Sequence, residues 1–492
     1  MTNATTMKEL RPYRALADMA AVLGSDDAPM VLLDSQEGGR YSILGVNPCR
    51  QLLQYGGDVR ESRYESGTWA RTVHHDSDVM DIIRRWSAEA HGGATGDGAD
   101  DDASTSTPSG RRDAYPPFVH GVMGFLSYDD GLRRHGLVSR HVRSTAMPDA
   151  AWWDFDDILV EDHRARRTTL ISHHRRDDAP RIEDLWRSAA SEPAGSHDDL
   201  AGATWTCDHD RASYVQGIES LRAHMRDGDA YVANYSLRFS VSGPLAPMRL
   251  FQRLAINNPA PYAGYVNGGG WQIVSSSPER FLQCRRRHIS TEPIKGTRPR
   301  SNDPGRDLVN RIELERSDKD HSELLMVTDL ERNDLSRVAK PGTVVTPAFA
   351  AVHSFAHVHH LISTVEADLA EGRTVEDAIE AMSPGGSITG APKRRVMQLI
   401  DRYERSARGA YTGSLGYIGF DGDADLNILI RSATHIGSAG MNGQGGEYEY
   451  LIGAGGGITI DSDPDFEYDE AMQKAEALLD ALGCDMKGQW HD

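Results

Sequence analysis

Cysteine is scarce, with only four in 492 residues, Cys49, Cys207, Cys284 and Cys484, and they form no CxxC pair. No histidines stand at matching metal-ligand spacing, so neither a disulfide framework nor a zinc site is expected, and a reducing compartment fits. Long apolar runs are missing as well. No stretch reaches about 18 consecutive apolar residues, and the opening "MTNATTMKELRPYRALADMAAVLGS" has no basic start followed by an apolar core. The chain is therefore expected to be soluble and cytoplasmic, with no membrane partner. Positive charge is short too: 53 Lys and Arg face 73 Asp and Glu, a formal net charge of −20. Nonspecific binding to nucleic acid or to an acidic membrane needs a positive field, so neither is expected. An anionic substrate would be repelled by this background and must be met by a local arginine, lysine or metal ion. No repeat period is present, which excludes solenoids and propellers.

At this length the chain can form two or three average domains or one large intertwined one. The segment 92–112, "GGATGDGADDDASTSTPSGRR", is poor in apolar residues and reads as a mobile surface insertion. "SEPAGSHDDLAGA", 191–203, is the best linker candidate. Alternating runs such as "APMVLLDS", "GRYSILGV", "TTLISHH" and "WQIVSSS" predict strands. Helical patterns appear at 213–226, 374–382 and 469–482. Beyond 205 the glycine-punctuated motifs become dense, and chemistry is expected there.

In "SPGGSITGAPKRRVMQLIDRYE", 383–404, glycines and a serine precede a helix with Pro392 at its start. The turn is either an anion cradle at a helix N-terminus or a plain tight turn. A Walker A loop is disfavoured, because Ala-Pro-Lys follows Gly390. Glu467, Glu470 and Lys474 stand at i, i+3 and i+7 and share one helical stripe. That stripe is either a solvated face or a hard-cation site. Glu323, in "SELLMVTDLERND", heads an apolar helical run where a free charge is costly, unless it lies at the surface of that helix's first turn. In "YTGSLGYIGFDGDADLNILIRSA", 411–433, two strand-like runs flank Asp-Gly-Asp, a hairpin signal that brings Tyr411 and Arg431 to one end. A guanidinium after "LNILI" wants a carboxylate, from a salt bridge or a ligand. "GAGGGITIDSD" lacks the context of a dinucleotide fingerprint, and its glycines permit close backbone approach to a ligand or another strand. His353, His357, His359 and His360 cluster without a metal-binding pattern; one of them can serve as an acid-base or hydrogen-bonding group.

"PIKGTRPR", "ELLMVTDLERNDLSRV", "HHLIS", "PGGSITGAPK", "GYIGFDGDADLNILIRSA" and "AGGGITIDSDPDFEYDEAMQKAEALL" occur here in the order and spacing of the chorismate-binding enzymes, which this chain resembles over 209–483. That family includes anthranilate synthase component I, aminodeoxychorismate synthase component I, and the isochorismate and salicylate synthases. The N-terminal part, 1–203, resembles component I proteins more loosely, through "VLLDSQEGGRYSILG". The resemblance implies an α+β fold, antiparallel sheets with helices packed outside, around a Mg²⁺-dependent chorismate site. It implies that Glu323, Glu467 and Glu470 hold Mg²⁺ directly or through water, and that Tyr411 and Arg431 take the enolpyruvyl carboxylate. Lys474 and the backbone of Gly457 would support the ring carboxylate, with Ser387, Thr297 and His360 lining the pocket.

Water-adding members have a lysine base where this chain has Val232, and amine-adding members usually have glutamine there; Val232 weakens the water-adding reading most. Anthranilate synthases usually read "PIAGTRPR", whereas Lys295 and "PGGSITGAPK" resemble the branch that aminates C4 of chorismate. In that branch the lysine attacks C2 as the C4 oxygen leaves, Glu279 matches the general acid, and ammonia then enters at C4 and expels the lysine. No Gly-x-Cys-x-Gly glutaminase motif is present, so a separate glutamine amidotransferase subunit is the expected ammonia source. The alternatives are an anthranilate-forming component I and a silent regulatory module that binds chorismate or tryptophan. The segments "LLDS", with Asp34 and Ser35, and "NPAPY", with Pro261 and Tyr262, resemble the walls of the tryptophan pocket of component I proteins.

Overall fold

The computed structural model describes residues 5–484 except 25–26, 93–115, 143–144, 177, 190–199, 201 and 438–446. The insertion expected at 92–112 and the linker expected at 191–203 lie, apart from their ends, outside the described residues. Among the described residues there are 22 strands and 11 α-helices, an α+β fold.

The runs that alternate in sequence form strands as expected: Met30–Asp34, Tyr41–Tyr55, Arg167–Ser172 and Trp271–Ser277. Their pairing interleaves the two parts of the chain. Met30–Asp34 lies antiparallel between Tyr41–Tyr55 and Tyr262–Asn267. Gly121–Leu126 likewise joins Ala150–Asp162 to Ser414–Gly419. The strand Ala150–Asp162 is buried along its whole length although it carries several acids. Asp154 survives there because Arg50 and Arg175 reach it at 2.6 and 2.7 Å, and Asp162 because Arg40 lies at 2.9 Å; a buried carboxylate without such partners would cost several kcal/mol. Trp153, Trp271, Phe125 and Tyr417, drawn from both parts of the chain, belong to one buried apolar cluster.

Helices pack against this sheet, and two of them position the site. Pro464–Leu482 starts at Asp463, whose side chain accepts from the N–H groups of Asp465 and Phe466, and stops at Gly483 in the left-handed region, φ +84°. Cap, proline and glycine stand where helix ends favour them. Ala471, Ala475, Leu478, Leu479 and Leu482 recur at helical spacing and are buried, and the helix packs on the strand Tyr448–Ile458. Truncating a side chain such as Leu479 to alanine would cost about 2–5 kcal/mol. The helix Asp318–Ser336, capped by the Ser317 hydroxyl, packs on Val358–Asp368. No helix among the described residues is long and apolar enough to cross a membrane.

Candidate active site

The glycine run 453–457 is where two strands, a helix and several side chains meet, and each glycine leaves room for a different neighbour. The strand Tyr448–Ile458 pairs with Val232–Gly243 in the register Ser236↔Gly455, Tyr235↔Gly456 and Asn234↔Gly457. A Cβ on Gly453 would lie 2.3 Å from the Tyr411 ring, and one on Gly455 would lie 2.2 Å from the Tyr235 carbonyl. On Gly456 it would face Glu467 Oε2 at 3.2 Å, and on Gly457 it would face Lys295 Nζ at 3.3 Å. A side chain at any of these positions would therefore intrude on the groups beside a cavity of about 970 Å³. A smaller cavity of about 250 Å³ shares only the Tyr411–Gly453 wall with it. Its Glu404 and Arg408 are paired with each other at 2.6 Å.

Lys295 is aimed into the large cavity by a bulge. In the ladder between Ile294–Pro299 and Val358–Asp368, Lys295 opposes Leu361 and Thr297 opposes His360, so Gly296 has no partner. Gly296 has φ +74°, and a Cβ there would meet Asp320 and Leu314 at 2.8 Å. Only glycine suits that conformation and space, and a bulge of this kind re-aims the side chain beside it. Lys295 Nζ donates to the Ser387 carbonyl at 3.4 Å and, among the described residues, has no carboxylate ion pair.

Glu279 also lines the cavity, and it is only 4% exposed. Its Oε1 and the Ser387 hydroxyl are both buried without a hydrogen-bond partner among the described residues. Burial pushes the Glu279 pKa up, tempered by the nearby Ser387 and Lys295. A carboxyl shifted in this direction keeps its proton to higher pH than an exposed one, as a general acid requires.

Tyr411 and Arg431 flank the strands Ser414–Gly419 and Ala424–Ile428 and face the same cavity, as the hairpin signal suggested. Arg431 adopts φ +52°, a costly conformation outside glycine, and its Nη1 donates to the Lys474 carbonyl. Among the described residues no carboxylate pairs with its guanidinium, and burial lowers its pKa. The phenol of Tyr411 is pushed up to about 12 by burial and stays protonated, a donor beside the arginine. His360 is buried and pushed down to about 4 by desolvation, hence a neutral imidazole; its Nδ1 lies 3.0 Å from the hydroxyl of Thr297, an otherwise exposed residue.

Three glutamates border the floor. Glu467 is 2% exposed and its Oε1 accepts from Ser462 at 2.9 Å and from Lys319 at 3.2 Å. Glu470 pairs with Lys474 at 2.6 Å, which lowers its pKa, and Lys474 also donates to the Gly455 carbonyl at 2.9 Å. Glu323 is buried rather than at the surface, and its pKa is raised by desolvation and by Glu467 and Glu470. As they stand, no three carboxylate, imidazole or thiolate groups among the described residues converge as a formed ligand set. The residues nevertheless fit magnesium. Glu323 Oε1 is buried with no hydrogen-bond partner, Gly456 leaves open the space beside Glu467 Oε2 and Glu470 Oε1, and the donors are all oxygen.

The loop 383–391 is held from behind rather than open to an anion at Gly386. Its N–H donates to Glu331 at 2.8 Å, while buried Lys393 donates to the Met382 and Pro384 carbonyls at 2.8 and 2.7 Å. The clustered histidines also have local partners: His359 lies 3.2 Å from Asp307 and 2.8 Å from the Ser354 hydroxyl.

The second sequence-named group lies elsewhere. Asp34 is buried, and both of its oxygens are engaged, by Ser42 at 2.7 Å and by Gln36 at 3.0 Å. The Ser35 hydroxyl donates to the Pro261 carbonyl at 3.2 Å, so the two expected walls are in direct contact. Tyr262 donates to Glu292 at 3.1 Å, while Pro261 borders the mouth of the large cavity.

Sequence reasoning missed Lys319, Asn234 and Glu331. Lys319 stands four residues before Glu323 on one helix, a spacing that signals the contact. Asn234 lines the cavity through its register with Gly457, which no local pattern announces. Glu331 lay in a quoted motif, but its burial depends on the loop packed over it.

The chorismate binding enzyme family matches residues 31–480. Aminodeoxychorismate synthase component 1 of Salmonella typhimurium is 39% identical over 366 residues, 74% of this chain and 77% of that protein. The protein of the same name from Bacillus subtilis is 32% identical over 468 residues, 92% of this chain and 91% of that one. Among solved structures, anthranilate synthase component I from Streptococcus pneumoniae superposes with a TM-score of 0.68 at 26% identity, covering 90% of this chain and 92% of that chain.

Proposed function

The chain belongs to the chorismate-binding enzyme family, and we propose that within it the protein is component 1 of an aminodeoxychorismate synthase, replacing the C4 hydroxyl of chorismate with an amino group. The observation that carries this reading is Lys295. An amine that, among the described residues, has no carboxylate partner projects from a glycine bulge between the Ser387 carbonyl and Gly457, in a cavity that also holds an arginine unpaired with any described carboxylate. The two relatives named aminodeoxychorismate synthase component 1 support it.

Chorismate carries two carboxylates. Arg431 and Tyr411 bind the enolpyruvyl carboxylate, answering the net charge of −20 locally. Lys474 and the Gly457 backbone support the ring carboxylate. Magnesium, held by Glu323, Glu467 and Glu470 directly or through water, would neutralise that carboxylate and so favour binding in this acidic site. The lone pair of the Lys295 amine forms a bond to C2, both ring double bonds shift by one position, and the C4–O bond breaks. Glu279 gives its proton to the departing oxygen, which leaves as water. Ammonia then bonds to C4, both double bonds shift back and the C2–N bond to Lys295 breaks; the proton lost by the incoming nitrogen returns Glu279 to its acid form. His360, neutral and hydrogen-bonded to Thr297, lines the pocket near the reacting ring. A glutamine amidotransferase subunit supplies the ammonia, and the product serves para-aminobenzoate and folate synthesis.

Mass spectrometry of a quenched mixture of protein, chorismate and Mg²⁺ without ammonia tests this scheme. An adduct on the peptide containing Lys295 is expected. An adduct that maps elsewhere, or full activity in Lys295→Ala, would overturn it. A second reading, release of pyruvate with anthranilate, is favoured by the Streptococcus pneumoniae structure and differs in its product.

A further inference from the structure

Lys319 takes no part in the scheme above, yet its ammonium sits among the carboxylates of the floor. It occupies the first turn of the helix Asp318–Ser336. Its Nζ lies 3.2 Å from Glu467 Oε1 on the other helix and 3.7 Å from Glu323 Oε1 one turn further along its own. Its Nζ also lies over the Phe466 ring, 4.8 Å from the centroid. Exposure divides these partners: the Lys319 side chain is 47% exposed, against 2% for Glu467 and 12% for Glu323. A long flexible arm with access to water thus bridges two carboxylates that have little.

That arrangement solves one problem and creates another. Neighbouring carboxylates in a site with little water repel each other, and one ammonium between them relieves it. The same ammonium engages Glu467 Oε1 and Glu323 Oε1, oxygens of two of the carboxylates that would hold a divalent cation, and like charges so close repel. Lys474 differs, because its bond to the Gly455 carbonyl ties it to the strand.

We infer that Lys319 is a built-in counter-cation that neutralises Glu323 and Glu467 when no divalent cation is bound and is exchanged for that cation when it arrives, so that the lysine sets the affinity of the site. The inference rests on the reading in which these glutamates hold magnesium. It makes the floor a two-state element: one state with the ammonium in, the other with it turned out toward water.

The test is a calorimetric titration of the full chain with MgCl₂, without chorismate, on the wild type and on Lys319→Met, Lys319→Arg and Glu467→Gln. Methionine keeps an apolar side chain of similar length and removes the charge, so Lys319→Met should bind Mg²⁺ more tightly, by up to about fivefold, the range that one partly exposed ion pair carries. Lys319→Arg should bind like the wild type, and Glu467→Gln more weakly. A thermal melt supplies a second readout: Lys319→Met should melt below the wild type without metal and gain more from added Mg²⁺ than the wild type gains. Unchanged or weaker binding in Lys319→Met, with wild-type binding normal and Glu467→Gln impaired, would overturn the counter-cation role and leave the magnesium reading standing. Indifference of Mg²⁺ binding to Glu467→Gln would overturn both.

Discussion

Glu331 gives a pH signature whose sign and size follow from where it sits. The residue is 2% exposed, one oxygen accepts the Gly386 N–H at 2.8 Å, and the other is buried with no partner. Desolvation raises its pKa from an ordinary 4.5 to about 8, with Lys393 opposing the shift and Asp334 adding to it. An acid whose pKa is higher folded than unfolded binds more protons folded, so stability falls as pH rises between the two values and is level outside them. The slope in that window is about 1.4 kcal/mol per pH unit, which amounts to about 3 kcal/mol by pH 7 and about 5 kcal/mol at pH 8. With an unfolding entropy of about 2 cal/mol/K per residue, a chain of 492 residues loses about 1 °C of melting temperature per kcal/mol. Glu331→Gln keeps an oxygen for Gly386 and removes the ionisation. Calorimetric melts of both proteins at pH 5, 6, 7 and 8 should show the variant gaining on the wild type by about 1 °C per unit, whatever its offset at pH 5. A gap independent of pH, or one that grows in favour of the wild type, would refute the account of a neutral, unsolvated carboxyl behind the loop.

The other predictions concern the cavity. Glu279→Gln should lower kcat by about 10²–10⁴, the range for loss of a general acid, with a near-normal melting temperature; steady-state rates decide it, and a loss under tenfold would remove Glu279 from that role. Arg431→Ala should weaken chorismate binding by about 2 kcal/mol or more, because it strips the charge from a substrate carboxylate held in a partly buried site. Equilibrium binding at low salt measures this, and unchanged affinity would place the enolpyruvyl carboxylate elsewhere. Tryptophan should not inhibit amination strongly, since Ser42 and Gln36 already occupy the Asp34 carboxylate and the Ser35 hydroxyl is bonded to the Pro261 carbonyl. Initial rates and melting temperature over one tryptophan series check it, and inhibition at concentrations that raise the melting temperature would contradict it.

Much of the site was readable because its chemistry is local. Glu467, Glu470 and Lys474 share one helical stripe, Tyr411 and Arg431 end one hairpin, and Lys295 stands out in its own strand. What the chain order hides is closure between distant segments. Glu323 and Glu467 come to one cavity from two helices that pack on different strands, and only the family resemblance anticipated their meeting. The unpaired bulge at Gly296 emerges from register with Leu361 and His360, not from "PIKGTRPR". The buried strand Ala150–Asp162 hides its alternation because Asp154 and Asp162 are neutralised by arginines more than a hundred residues away or just after the strand in the chain. The interleaving of Met30–Asp34 with Tyr262–Asn267 is equally invisible, since strand periodicity says which face is buried and nothing about which strand lies alongside.

The central claim is that this cavity aminates chorismate at C4 and keeps the enolpyruvyl group. Incubating the protein with chorismate, Mg²⁺ and ¹⁵N-ammonium, and resolving the products by liquid chromatography and mass spectrometry, tests it directly. The account predicts ¹⁵N-labelled 4-amino-4-deoxychorismate with no pyruvate released; stoichiometric pyruvate together with fluorescent, labelled anthranilate would contradict it.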